Sequence, residues 1–196
     1  MTHRPALGCL FEIVETLVLT LVIFLVIQTF IAQPYRVEQM SMEQTLEPDQ
    51  YVLVDKLTPR FDTYKRGDIV VFNPPANWTQ QKTPFIKRVI GVGDDRIQIR
   101  EDGKVYVNGV ALAEPYLFKA EGRAQPTTIS DQSDWTVPKD ELFVMGDHRA
   151  SSADSRAFGS IDVSNVIGRA WLRYWPFDTF GVLQTPAHPE LQTSRP

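Results

Sequence analysis

The sequence predicts a mostly β protein with one N-terminal transmembrane helix, the helix being followed by an antiparallel β-sheet domain that carries a small β-hairpin insertion. Three observations predict it. Residues 16–32, TLVLTLVIFLVIQTFIA, hold no formal charge, and as a helix they rise roughly 26 Å, close to the hydrocarbon thickness of a bilayer. Past Gln33-Pro34 the hydrophobic period shortens from helical to alternating. From there on the apolar runs are short, rich in β-branched and aromatic residues, and bounded by turn residues.

Taken in order, residues 1–10 form a short N-terminus and 11–33 the anchor, since Phe11, Ile13 and Val14 extend the apolar span. Glu12 and Glu15 fall near its inner end, where they reach headgroups; at the bilayer centre they would be costly. A cleaved signal peptide is the competing reading. Its apolar region would be shorter, and a cut after Ala32 would put bulky Phe30 where a small residue is wanted. Arg4 and the α-amino group precede the span and Arg36 follows it, a thin positive-inside bias that puts residues 1–10 in the cytoplasm and the domain on the far side of a single-pass membrane protein.

Residues 34–182 make the β-rich domain. Its strands are read at 51–57, 68–73, 85–92, 96–100, 104–109, 142–147 and 166–175. Residues 95–140 form a smaller insertion. Within it RIQIREDGKVYVNG reads as a hairpin turning at Asp102-Gly103, and 120–136, which lack an apolar period, read as a surface loop. Trp171, Trp175, Phe177 and Phe180 read as core packing of the last strand rather than as a surface dipping into lipid. Residues 183–196, rich in Pro, Gln, Thr and Ser, read as a flexible tail.

Composition excludes several functions. The net charge of −4 leaves no basic stripe for a nucleic-acid backbone. The single cysteine, Cys9, closes no disulfide within the chain, and no Cys/His spacing suits a metal, so neither metal nor cofactor is expected.

The chemistry centres on VEQMSMEQTL, residues 37–46, just beyond the anchor. A serine hydroxyl is a weak nucleophile until a neighbouring base takes its proton. Of the three histidines, His3 precedes the span and His188 lies in the tail, which leaves His148, beside Asp147. A Ser41/His148/Asp147 triad is open on that count, but adjacent residues of an extended strand point to opposite faces. Lys87 is the second candidate base. It stands with Arg88 in the apolar strand PFIKRVIGV, where alternation sends the two cations apart and one of them into apolar surroundings. A lysine can lose its charge there and an arginine effectively cannot. A shift of roughly 2 units below the usual value leaves about a tenth of the amine neutral near pH 7.4. The competing reading lets Lys87 snorkel to water with Arg88 on a surface carboxylate.

Four ordered motifs, VEQMSMEQTL, KRGDIVVF at 65–72, FIKRVIGVGDD at 85–95 and GDHRASSADSRAFGSI at 146–161, resemble those of the type I signal peptidases, membrane-anchored serine proteases with a Ser/Lys dyad. The resemblance spans roughly residues 10–180 and favours Lys87 over His148. It implies Ser41 as nucleophile and oxyanion-hole N–H donor, and Lys87 as general base. Ser152 would hold the lysine amine, Arg88 would pair with Asp147, and Asp154 with Arg156. Peptide hydrolysis through an acyl-enzyme would follow, on secretory preproteins with small residues, typically Ala, at the first and third positions before the cut. Phe85, Ile86 and Met42 are the expected pocket walls; the lipid bilayer is the expected partner, with the translocation channel a further candidate.

The sequence departs from that pattern in several places. Met40 and Gln44 stand where a small residue and a proline are usual, Gln39 where some members place an oxyanion-hole serine, Ser151 and His148 where asparagines are usual. Three rivals stay open: a self-cleaving repressor-type domain, a His148-dependent hydrolase, and an anchored β domain that binds preproteins without cutting them.

Overall fold

The structure, a computed structural model, describes residues 5–57, 59, 61–80, 83–129 and 132–191; His3, Arg4 and the last five residues of the expected tail lie outside them. Helix α1 (Pro5–Val26) is continued by a π-helical turn, Ile27–Ile31. Over Gly8–Ile31 the mean hydropathy reaches 2.6, and none of that span is buried against the domain. The only acidic residues in it, Glu12 and Glu15, sit toward its N-terminal end. The helix stops at Ala32, whose backbone is extended, so Ala32 and Gln33 belong to a strand and not to the anchor as expected from the sequence.

The strands are β1 (Ala32–Arg36), β2 (Tyr51–Asp55), β3 (Ile69–Phe72), β4 (Phe85–Val92), β5 (Arg96–Ile99), β6 (Val105–Val107), β7 (Val110–Ala111), β8 (Lys119–Ala120), β9 (Arg123–Ala124), β10 (Asp134–Thr136), β11 (Glu141–Met145), β12 (Ile161–Asp162), β13 (Val166–Trp175) and β14 (Gly181–Val182). An eight-stranded antiparallel sheet runs β1-β2-β13-β3-β4-β11-β12, with β14 on β13. The apolar helix thus feeds directly into an edge strand, where Pro34 removes no ladder donor that an inner strand would need.

Strand β3 explains why an IVVF run forms here. Ile69 and Val71 enter one apolar cluster with Val37, Met42, Leu46 and Ile86, while Val70 and Phe72 enter another with Trp78, Phe85, Val89 and Val144. Both faces of this part of the sheet are covered, so alternation disappears and every position is apolar. A second sheet, β10-β5-β6-β7, closes the third cluster around Ile97, Val107, Trp135 and Phe143. The predicted hairpin is β5–β6, and Gly103 takes the positive φ of its turn. Asp95 ties the sheets together by accepting from Arg66 at 2.8 Å and from Asn108 Nδ2 at 2.8 Å.

Three expectations need correction. Within 120–136, β9 pairs with β8, and β10 pairs with β5 and buries Trp135; a single inward tryptophan gives no readable period. The segment 183–191 lies packed on the domain instead of fraying. Thr185 Oγ1 donates to Asp68 at 2.9 Å, Glu190 accepts from Ala113 N–H at 3.0 Å, and His188 is buried. Finally, Trp171, Trp175, Phe177 and Phe180 are not core: they are 38%, 46%, 74% and 61% exposed, the first two on β13 and the others in the turn that follows it.

Candidate active site

Ser41 stands in a single 3-10 turn, Met40–Met42, between the end of β1 and β2. The turn closes with Glu43 N–H donating to Met40 O at 3.1 Å, and Leu46 N–H donates to Met42 O at 2.7 Å. Met42 is turned inward and fully buried, packing in the cluster of Val37, Leu46 and Ile86, which fixes the turn against the sheet. Ser41 N–H, in the first turn of that short helix, has no acceptor within the turn.

Lys87 comes from the middle of β4, paired with Val70 of β3. Its Nζ is 2.6 Å from Ser41 Oγ, 3.2 Å from Ile86 O and 3.4 Å from Gln39 Oε1. The Phe85 ring, two residues back on the same face, has its centroid 5.2 Å from the amine. Only 1% of Lys87 is exposed. Burial pushes its pKa down from 10.5 to about 8, against the opposing pull of Asp154 and Asp147. Among the described residues no carboxylate pairs directly with the amine, which is why desolvation dominates.

Alternation does send Lys87 and Arg88 apart, yet both are buried. Arg88 keeps its charge by donating Nε and Nη2 to Asp147 at 2.8 and 2.7 Å, and Nη1 to Gly67 O at 2.7 Å. Asp147 also accepts from Thr45 Oγ1 at 2.6 Å, joining the pair to the segment after the nucleophile turn. Arg156 and Asp154 form the other ion pair, at 2.8 Å. Burial alone would raise Asp154, but Arg156 and the Gly146 N–H hold its carboxyl below the ordinary range.

The structure brings Ser41, Lys87, Gln39, Ser152, Arg88, Asp147, Asp154 and Arg156 around one end of β4 and the 146–156 loop. Two expectations change. Ser152 is beside Gly146, and its hydroxyl is directed to Asp154, whose carboxyl it helps to hold down; among the described residues the lysine amine bonds instead to Ser41, Ile86 and Gln39. Of the expected pocket walls, only Ile86 lines the adjoining cleft, together with Tyr35, Val37, Gln39, Val71 and Pro84. Met42 is core, and Phe85 packs between Phe72 and Trp78.

His148 does not complete a triad with Asp147. Both Asp147 oxygens are taken by Arg88, and His148 Nδ1 is 2.8 Å from Glu43 Oε2 while its ring stacks on Phe118. Sequence reasoning gave no role to Glu43, Thr45, Phe118 and Lys119, which lie around the 40–42 turn, and noted Gln44 only as a departure from the motif. Glu43 and Thr45 fall inside the serine motif, whereas Phe118 and Lys119 are distant in sequence and carry no signal.

This arrangement places a serine hydroxyl against an amine whose pKa burial has lowered, next to a cleft lined by Tyr35, Val37 and Ile86. The protein-family model described as "Signal peptidase, peptidase S26" matches residues 10–175. Signal peptidase I of Mycobacterium tuberculosis is 34% identical over 93% of this chain and 78% of its own length. The signal peptidase I of Leptolyngbya laminosa is 36% identical over 90% and 85%, and that of Bacillus caldolyticus 39% identical over 79% and 85%.

Proposed function

Because the chain belongs to the signal peptidases of peptidase family S26, and is therefore a serine endopeptidase, we propose that it removes signal peptides through a Ser41/Lys87 dyad and an acyl-enzyme. The observation that carries this reading is the 2.6 Å contact between Lys87 Nζ and Ser41 Oγ, made by an amine that burial has brought to a pKa of about 8. At pH 7.4 about a fifth of such amines are neutral, against roughly a thousandth for an ordinary lysine.

Neutral Lys87 takes the Ser41 proton as Oγ bonds to the scissile carbonyl carbon, and the carbonyl electron pair moves to oxygen. The oxyanion is stabilised by Ser41 N–H. When the C–N bond breaks, the Lys87 ammonium returns the proton to the leaving amine. Lys87 then takes a proton from water, whose attack on the ester releases the signal peptide as a carboxylate and restores Ser41. Gln39 Oε1 faces the amine at 3.4 Å, so its amide oxygen serves lysine positioning more than oxyanion binding.

An extended substrate would run along 34–39 and 83–86 into the cleft, its alternate side chains meeting Ile86, Val37, Tyr35 and Val71. These walls favour small residues at the first and third positions before the cut. Anchoring by the apolar helix would confine enzyme and preprotein to one bilayer surface, with the domain outside the cytoplasm, which raises their effective concentration. The test is incubation of the detergent-solubilised chain with a preprotein bearing an Ala-x-Ala site. Wild type cuts, and Ser41→Ala and Lys87→Ala do not; cleavage retained by Lys87→Ala rejects the dyad.

A further inference from the structure

The backbone of the nucleophile turn is satisfied internally at two carbonyls and externally at one. Met40 O and Met42 O accept from the turn's own Glu43 and Leu46. Ser41 O, between them, accepts from His148 N–H at 3.0 Å. The two segments run so close that a Cβ on Gly146 would stand 2.5 Å from Ser41 O. Wherever the His148 backbone goes, the Ser41 peptide group follows.

The His148 side chain is itself fixed from both sides. Nδ1 lies 2.8 Å from Glu43 Oε2, and the imidazole stacks on Phe118 with centroids 3.9 Å apart and planes at 10°. Phe118 N–H donates to Asp147 O at 3.1 Å. The next residue, Lys119, exchanges two hydrogen bonds with the Gln44 amide, at 2.8 and 3.0 Å. One imidazole therefore joins the nucleophile turn at Glu43 to the segment leading into β8 at Phe118, while the backbone N–H of the same residue holds the Ser41 carbonyl. The asparagine that the motif resemblance leads one to expect here has a donor for Glu43 but no ring face for Phe118.

We propose that His148 is a positioning residue for Ser41: clamped between Glu43 and the Phe118 ring, it holds the Ser41 peptide group so that Oγ stays in contact with Lys87 Nζ. The proposal rests on the Ser41/Lys87 reading. It assigns the imidazole no proton transfer, since Glu43 occupies Nδ1, Nε2 lies 3.4 Å from Ser151 Oγ, Phe118 covers the face, and Asp147 belongs to Arg88. Misplacing reacting groups by about 1 Å costs on the order of a hundredfold in rate, so a loosened clamp acts on turnover and not on substrate binding.

The test measures kcat, KM and the pH profile for the full chain in detergent with an Ala-x-Ala preprotein. Its variants are His148→Ala, His148→Asn, Phe118→Leu, Glu43→Gln and Lys87→Ala. His148→Ala lowers kcat by roughly 10- to 100-fold, with KM within about twofold and the acid limb of the profile unmoved. His148→Asn restores part of the loss, and Phe118→Leu, which keeps apolar volume but removes the stacked ring, gives a smaller fall of the same kind. Should His148→Ala fail to fold, Phe118→Leu and Glu43→Gln decide the matter alone. Wild-type kcat in the clamp variants overturns the proposal, as does an acid limb that moves with His148. Inactive Lys87→Ala beside a fully active His148→Ala removes the positioning role and leaves the dyad standing; active Lys87→Ala removes both.

Discussion

Lys87 Nζ and Ser41 Oγ are 2.6 Å apart in a site from which Lys87 is all but excluded from water. With the amine's pKa brought to about 8 by burial, the neutral and competent form gains population as pH rises through that value. We expect kcat/KM of the free enzyme to fall about tenfold per pH unit below pH 8 and to level off above it. Lys87→Arg, which cannot give up its proton, is inactive across the whole range. A profile flat from pH 6 to 9 speaks against Lys87 as the base.

The same burial costs stability. Lys87 has a folded pKa of about 8 against 10.5 in the unfolded chain, so between those values the unfolded state binds the extra proton, and below them the folded state must bury a charged amine. The penalty is full below about pH 8 and fades as pH rises toward 10.5, and its ceiling is about 3 kcal/mol. Lys87→Met, close in shape and uncharged, abolishes cleavage and raises the midpoint of urea unfolding at pH 7, and the gain shrinks at pH 10. Equal midpoints for the two chains at pH 7 would show that the amine is hydrated in solution.

Arg88 and Asp147 have almost no exposed side chain and share two hydrogen bonds. Removing one partner leaves a buried charge, with an expected cost of about 3–5 kcal/mol for Arg88→Met or Asp147→Leu. The double variant loses less than the sum of the singles, since no uncompensated charge remains. Denaturant unfolding of the four chains closes the cycle, and strict additivity would mean that the ions do not interact.

How much of this was legible beforehand follows from periodicity. Strand β4 was read at its observed ends because a continuous apolar run with turns at both sides leaves little choice, and β13 likewise. β12 and β14 are two residues long and carry no pattern at all. Lys87 stood out as a cation within an apolar strand. Its partner did not follow from local chemistry, since pairing β3 with β4 and closing the 40–42 turn bring the two together only in three dimensions. Met42 and Phe85 pack into core clusters next to Ser41 and Lys87, a placement the sequence does not distinguish from a pocket wall because an apolar residue next to a reacting one can equally be the floor beneath it. The segment at 183–191 looked loose because its contacts are single hydrogen bonds to Asp68 and Ala113, invisible in composition.

That segment gives a further prediction. Gly67 has φ +89°, its carbonyl accepts from Arg88, and a Cβ there would stand 2.9 Å from Pro186. Gly67→Ala meets both a backbone and a packing conflict, and the expected loss is about 1–3 kcal/mol. Pro186→Gly in the same chain recovers the packing part only. Thermal unfolding of the single and double variants reads this, and an unchanged midpoint in Gly67→Ala would contradict the packed course of 183–191.

Gln44 turns an apparent defect into a local requirement. Proline is the residue usual at this motif position, so a simple repair would be Gln44→Pro. Here Gln44 has φ +69°, which a proline ring cannot adopt. Its N–H donates to Glu47 Oε1 at 2.9 Å, and its side-chain amide makes the two bonds to Lys119. Proline would remove all three bonds and force the turn that carries Ser41 into another shape. Gln44→Pro therefore destabilises the chain by about 3 kcal/mol and lowers kcat by at least about tenfold. Gln44→Gly, which tolerates the positive φ, loses only the Lys119 link and keeps most of the stability. Thermal unfolding and preprotein cleavage, run on both variants side by side, separate backbone shape from side-chain latch; a Gln44→Pro chain as stable and active as the parent would show that the 40–47 turn adopts the other shape in solution.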